Sequence, residues 1–293
     1  MIPRPTLRTL AALAALTAAS VASAQSVVFT NFNTATTGPS GDLTLNGNAQ
    51  IVTPSYSADK VLRLTPSNYY QAGSAFSTTA ITLNNNSFST AFSFRITEPF
   101  GGGADGLVFV MQTVGNNVGG AGGGIGYLGI SNSLGIEFDT WYNGPGLGDW
   151  SDNHIAINTG GAFTTDTSRI ADLPVPSQQL DNGNLWYAWV DYNDTTDNLE
   201  VRFSGANSRP LTALLSTTID LPTVLGSNTA YVGFTSGTGA AGGNHDIVSW
   251  QFNNNYRPID NPDVPQNVPD AGATAGLLTL GLAGLAALRR RRN

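Results

Sequence analysis

Across residues 27–252 the apolar side chains recur at every second position in short runs, a period of two that only packed β-sheets can use throughout. Phe92, Phe94 and Ile96 alternate with Ser93 and Arg95, and Leu107, Phe109 and Met111 repeat the pattern in the next run. Residues 186–192 and 199–203 read as a hairpin joined by the polar stretch 193–198. No long stretch between the two ends has a helical period. Glycine clusters at 101–103, 119–124 and 237–243 separate the runs, and loops at one end of a sandwich are where binding residues usually sit. The pattern predicts one all-β domain, an antiparallel sandwich over residues 25–252.

The 293 residues include no cysteine, which excludes disulfides, zinc–thiolate sites and thiol nucleophiles, so stability has to come from core size and bound ligands. Arg4, Arg8 and Arg289 to Arg292 place six of the 13 basic residues in the terminal segments, and Lys60 is the sole lysine. The body between them is therefore acidic, which disfavours nucleic acid and favours cations or neutral sugars as partners.

Residues 1–24 have the order of a secretory signal: Arg4 and Arg8, an apolar run over 10–21, then Ala22-Ser23-Ala24 as the cleavage site, with Gln25 the first mature residue. At the other end, Val268-Pro269-Asp270-Ala271-Gly272 precedes an apolar run over 273–288 and the four arginines. Sixteen apolar residues make a short span whose basic end would stay cytoplasmic, through either a retained anchor or a processed tail. Asn- and Pro-rich residues 253–267 read as a spacer. The tripartite tail, 268–293, resembles the VPDSG variant of the bacterial PEP-CTERM sorting signals, with Ala271 at the serine position. That resemblance implies an exosortase-type processing enzyme as a partner and delivery to the cell surface or extracellular matrix, with membrane contact confined to the tail. Signal and tail are both expected as short apolar helices flanking the sandwich.

The segment Leu134-Gly-Ile-Glu-Phe-Asp-Thr-Trp-Tyr-Asn143, followed by Asp149 and His154, carries the chemistry. Strand alternation puts Glu137 and Asp139 on one face while Ile136 and Phe138 point into the core. Two such carboxylates repel unless a proton or a cation lies between them. Asn143, Asp149 and His154 add an amide oxygen, a carboxylate and an imidazole. Oxygen donors suit calcium, and carboxylates with an imidazole suit manganese or a similar divalent ion.

This segment looks like the metal-binding loop of legume-type lectins. By that resemblance Glu137, Asp139, Asp149 and His154 would hold the transition ion, while Asp139, Asn143, Asp149 and the Trp141 carbonyl would hold calcium; Asp149 is preferred to Asp152 by its spacing to His154. Ala104-Asp105-Gly106 looks like the family segment that bears the sugar-binding aspartate after a cis peptide. The resemblance implies a glycan site built from Asp105, Asn143 and a glycine, either Gly124 or Gly126. Trp141 or Tyr142 would provide a stacking ring, and the loop 236–244, Gly239 included, would tune the sugar. Homo-oligomers through sheet faces or edges also occur in such a family.

A laminarinase-like glycosidase would also put carboxylates on a sandwich strand, but in an E-x-D-x-x-E pattern that supplies nucleophile and acid. Here Tyr142 stands where the second glutamate belongs, and Glu98 and Glu200 lie in unrelated runs, so no enzymatic activity is expected. A matrix protein of the same fold without sugar recognition is the other alternative. His245 has no nucleophile pattern around it and reads as a hydrogen-bonded structural residue.

Overall fold

The structure, a computed structural model, describes residues 26–265. The expected signal and sorting segments and their helices lie outside the described residues. The described chain forms two antiparallel sheets of eight strands each. In the first sheet the spatial order is Leu215–Thr218, Asn198–Ser204, Trp186–Asn193, Phe88–Phe100, Gly242–Asn253, Val61–Thr65 and Gln50–Val52, with Ser26–Phe29 also paired to Gly242–Asn253. In the second it is Ile170–Asp172, His154–Thr159, Ser133–Asp139, Gly106–Gln112, Thr229–Gly237, Ala72–Ser77 and Leu43–Gly47, with Ile81–Thr82 also on Thr229–Gly237. Among the described residues the one α-helix is the single turn Leu221–Leu225, capped by Asp220, and no helix is long and apolar enough to cross a membrane.

The alternating residues meet between the sheets. Phe92, Phe94 and Ile96 from the first face Leu107, Phe109, Phe138 and Phe234 from the second, all fully buried. Their rings pack mainly edge to face, with centroids 5.0 Å apart for Phe92–Phe234 and Phe94–Phe138 and 5.1 Å for Phe234–Trp250, an arrangement favoured by the ring quadrupoles. The buried Trp250 indole N–H donates to Thr90 Oγ1 at 3.1 Å, so its polar atom costs little. A smaller apolar cluster of Phe76, Val108, Val110, Ile125, Tyr127 and Phe163 covers the outer face of the second sheet. Gly135 belongs to that contact, since a Cβ there would lie 2.6 Å from the Tyr127 ring.

Residues 253–265, expected as a spacer, are instead a strap across the outer face of the first sheet. Asn253 still belongs to the last strand, Ile259 is buried with Ala91, Tyr187 and Trp189, and Gln251 Nε2 donates to the carbonyls of Pro262 (2.8 Å) and Val264 (2.7 Å). Asp263 accepts hydrogen bonds from Ser249 Oγ at 2.6 Å and Asn207 Nδ2 at 2.6 Å. A segment of Asn and Pro lacks periodicity, and its docking depends on partners far away in the chain.

Candidate metal and sugar site

Strand register assembles the site. Asp139 pairs with Gly106 on one side and His154 on the other, and Glu137 pairs with Val108 and Ala156. Directly opposed residues share a face, so Glu137, Asp139 and His154 emerge together on the outer side while Leu134, Ile136 and Phe138 fill the core. Gly106, at φ +121°, is required at this crossing: a Cβ would stand 2.2 Å from the Phe138 carbonyl oxygen. The close approach brings Asp105, one residue earlier, to the end of the strand that bears Asp139. The Ala104–Asp105 peptide is cis.

Ligand atoms of Glu137, Asp139 and His154 all lie within 4.8 Å of one another, and all three residues are buried. The His154 Nδ1–H donates to the Ser151 carbonyl at 2.9 Å, which turns Nε2 toward Glu137 Oε2 at 3.7 Å. Glu137 Oε2 also accepts from Asn158 Nδ2 at 2.7 Å, and the Asn158 amide is itself oriented by the Thr164 N–H, which donates to its Oδ1 at 2.8 Å. Asp139 uses Oδ1 to accept the Trp141 N–H at 2.7 Å. Asp149 stands outside the close trio and joins through Asn143, whose backbone N–H donates to its Oδ2.

Burial, then repulsion from Glu137 and Asp149, pushes the Asp139 carboxyl well above the ordinary range. Asp149 is raised by burial, against the opposing hydrogen bond from Asn143. Burial disfavours charge on His154, but the hydrogen bond and charge of Glu137 outweigh it and hold the imidazole above its usual value. Glu137 Oε1, Asp139 Oδ2 and Asp149 Oδ1 are buried without any hydrogen-bond partner. Orphaned carboxylate oxygens gathered beside an imidazole nitrogen are the donor set a divalent cation satisfies, so these residues fit the metal expectation.

Four loops converge on Asp105. Its Oδ1 accepts from Asn143 Nδ2 at 3.2 Å, and the same Nδ2 donates to the Trp141 carbonyl at 3.2 Å. Asp105 Oδ2 is buried and unpartnered, and burial, less the Asn143 hydrogen bond, pushes the carboxyl up to about 6. A Cβ on Gly239 would be 3.7 Å from this oxygen. The Trp141 ring packs on Gly102, where a Cβ would meet it at 3.0 Å, and Tyr142 is half exposed.

Of the two glycines named from the resemblance, a Cβ on Gly124 would lie 3.2 Å from Leu128 and one on Gly126 would lie 2.9 Å from Thr235. Gly123 is the one against the site, since a Cβ there would be 2.3 Å from the Asn143 amide. The glycine run marked the loop, but which glycine meets Asn143 depends on the path of that loop. Asn158 was also missed, although His154, Ala156 and Asn158 alternate onto the same face as Glu137.

His245 is fully buried in the other sheet. Its Nδ1 lies 2.8 Å from Thr65 Oγ1, Thr65 Oγ1 is 3.1 Å from Ser236 Oγ, and Ser236 donates to the Gly106 carbonyl at 2.7 Å. Glu98 and Glu200 belong to strands of that first sheet, so neither supplies a second acid beside Glu137.

Comparison with known proteins identifies the fold and the family. The legume lectin domain model matches residues 24–268, and the VPDSG-CTERM motif matches 267–292. L-type lectin-domain containing receptor kinase VIII.1 of Arabidopsis thaliana is 31% identical over 211 residues, covering 69% of this chain and 27% of the relative. Leucoagglutinating phytohemagglutinin of Phaseolus vulgaris is 34% identical over 176 residues, 57% of this chain and 60% of the relative. The chain spans only 27 to 36% of the length of three such receptor kinases. Among solved structures, the lectin from Bauhinia forficata in complex with GalNAc superposes with a TM-score of 0.64 at 23% identity, covering 79% of this chain and 98% of that one. Basic winged bean lectin with Tn-antigen gives 0.61 at 26% identity, covering 78% and 98%. With the domain model spanning the whole described sandwich, the chain belongs to the legume lectin family and carries a VPDSG-CTERM motif behind the lectin domain.

Proposed function

We propose that the protein is an exported, surface-directed lectin whose sugar site is organised by divalent cations. Glu137, Asp139, Asp149 and His154 would hold a manganese-like ion, and Asp139, Asn143, Asp149 and the Trp141 carbonyl would hold calcium. The ions supply positive charge that cancels the repulsion among these buried carboxylates. The loop 140–149 then holds Asn143 against Asp105. Asp105 and Asn143 would accept and donate hydrogen bonds to neighbouring sugar hydroxyls, Gly123 and Gly239 keep the floor low enough for a ring to enter, and Trp141 or Tyr142 offers a face to its C–H surface. The observation that carries this reading is Asp105: a buried carboxylate with one oxygen on Asn143 and the other without a partner, where four loops meet. The signal segment and the sorting motif support export and processing at the cell surface by an exosortase-type enzyme.

The test is a glycan array probed with the full chain in calcium and manganese, repeated after chelation. Saturable binding that chelation removes and that Asp105→Asn abolishes without unfolding supports the lectin; a folded, metal-loaded protein that retains no glycan leaves only the matrix role.

A further inference from the structure

Beside the Asp105 loops the surface carries two adjacent exposed aromatic rings. Tyr69 is 58% and Tyr70 72% exposed, and their rings lie side by side with centroids 6.4 Å apart and planes tilted by 38°, forming one exposed aromatic patch. The backbone beneath is held rather than loose. Tyr70 has φ +55°, a left-handed conformation that a bulky side chain adopts only under constraint.

The constraints come from the loop next to Asp105. The Tyr70 N–H donates to the Gly239 carbonyl at 3.0 Å, the Gln71 N–H to Thr238 Oγ1 at 2.8 Å, and Thr238 Oγ1 to the Asn68 carbonyl at 2.7 Å. On the far side the Ser67 N–H donates to Asn244 Oδ1 at 2.7 Å. Phe100 meets the Tyr69 ring edge-on at 4.8 Å and is itself pressed on Gly242, where a Cβ would be 2.9 Å from the Phe100 ring. Gly239 thus contacts Tyr70 by its carbonyl and looks toward Asp105 Oδ2 with its Cα face. One residue, Gly239, links the Tyr70 backbone to the Asp105 carboxylate.

We infer that Tyr69 and Tyr70 form a second subsite that stacks the next ring of an oligosaccharide whose first ring occupies the Asp105–Asn143 site. This rests on the sugar-binding reading above. A pyranose has one largely C–H face, and rings carried on a backbone already held in place can stack it without ordering the loop. The ligand class is accordingly a neutral oligosaccharide of at least two units, recognised near a chain end.

Titration calorimetry on the metal-loaded full chain would compare neutral monosaccharides with glucose-, galactose- and mannose-ended di- to tetrasaccharides. The wild type should bind its best oligosaccharide about tenfold or more tighter than the matching monosaccharide. The Tyr69→Ala/Tyr70→Asn double variant should lose that advantage while keeping monosaccharide affinity within about twofold, because asparagine tolerates the left-handed backbone and the Asp105 contacts remain. Tyr70→Phe should retain the advantage. A wild type that binds monosaccharides with no gain for oligosaccharides, or a folded double variant that keeps the gain, overturns the subsite and leaves the sugar reading standing. No binding of any sugar by the wild type removes both.

Discussion

Asp139 commits one oxygen to the Trp141 amide and leaves the other unpartnered among like charges. Asp139→Asn removes part of that repulsion, so the metal-stripped variant should melt a few degrees higher than the metal-stripped wild type, as expected for about 1 kcal/mol in a domain of this size. The same change should abolish the rise in melting temperature expected of the wild type on adding calcium and manganese. Differential scanning calorimetry with and without chelator reads both effects, and a variant that still responds to metal would count against Asp139 as a shared ligand. His245 makes a different prediction. Burial lowers its imidazole to about 3, so below its ordinary value of 6.5 the unfolded chain takes up a proton that the folded chain refuses. Stability is unaffected above about pH 6.5 and falls by about 1.4 kcal/mol for each pH unit below it, down to the folded value. Urea unfolding of the wild type and His245→Gln between pH 7 and pH 4 should show the wild type losing stability faster; parallel curves would mean that His245 is not held neutral.

At the scale of elements, the site is a product of strand ends and loops. The strands Gly106–Gln112, Ser133–Asp139 and His154–Thr159 fix Asp105, Asp139 and His154 in a row, and the loop carrying Gly123 closes over Asn143. Gly123→Ala pushes a methyl group into the Asn143 amide, which has to move away from Asp105. We expect at least about a tenfold loss of glycan affinity with the fold intact, consistent with the cost of displacing one well-made hydrogen bond to a charged group. Gly146→Ala is the control on the neighbouring loop, since nothing lies within 4 Å of its prospective Cβ. Calorimetric titration with an array-selected glycan distinguishes the two. Equal affinity in both variants would show that the 119–124 loop does not set the position of Asn143.

For the whole molecule, two sheets bury one aromatic core, and the strap that follows the last strand covers the outer face of the first sheet. Ile259 is 1% exposed against Ala91, Tyr187 and Trp189. Ile259→Ala should lower unfolding free energy by about 2 to 4 kcal/mol, the usual cost of emptying a buried aliphatic site. If the strap were only a tether for the sorting tail, urea midpoints would be unchanged. The strap also places Asp263 on Ser249 and Asn207, so the chain is still part of the domain when it approaches the sorting motif.

The sequence by itself determined the sheets, because a period of two places every second side chain on one face, and Phe92, Phe94, Leu107, Phe109 and Met111 all lie between the sheets. It also determined the ingredients of the site, since Glu137 and Asp139 must share a face and Asn143, Asp149 and His154 follow within one loop and strand. What it left undecided were contacts between distant segments. The placement of Gly123 against Asn143, the bond from Asn158 to Glu137 and the docking of residues 253–265 have no local pattern to announce them. Glycine runs and Asn-Pro stretches are permissive in backbone conformation, and only the packing of neighbouring loops and of the opposite strand selects one path among the many such segments can take.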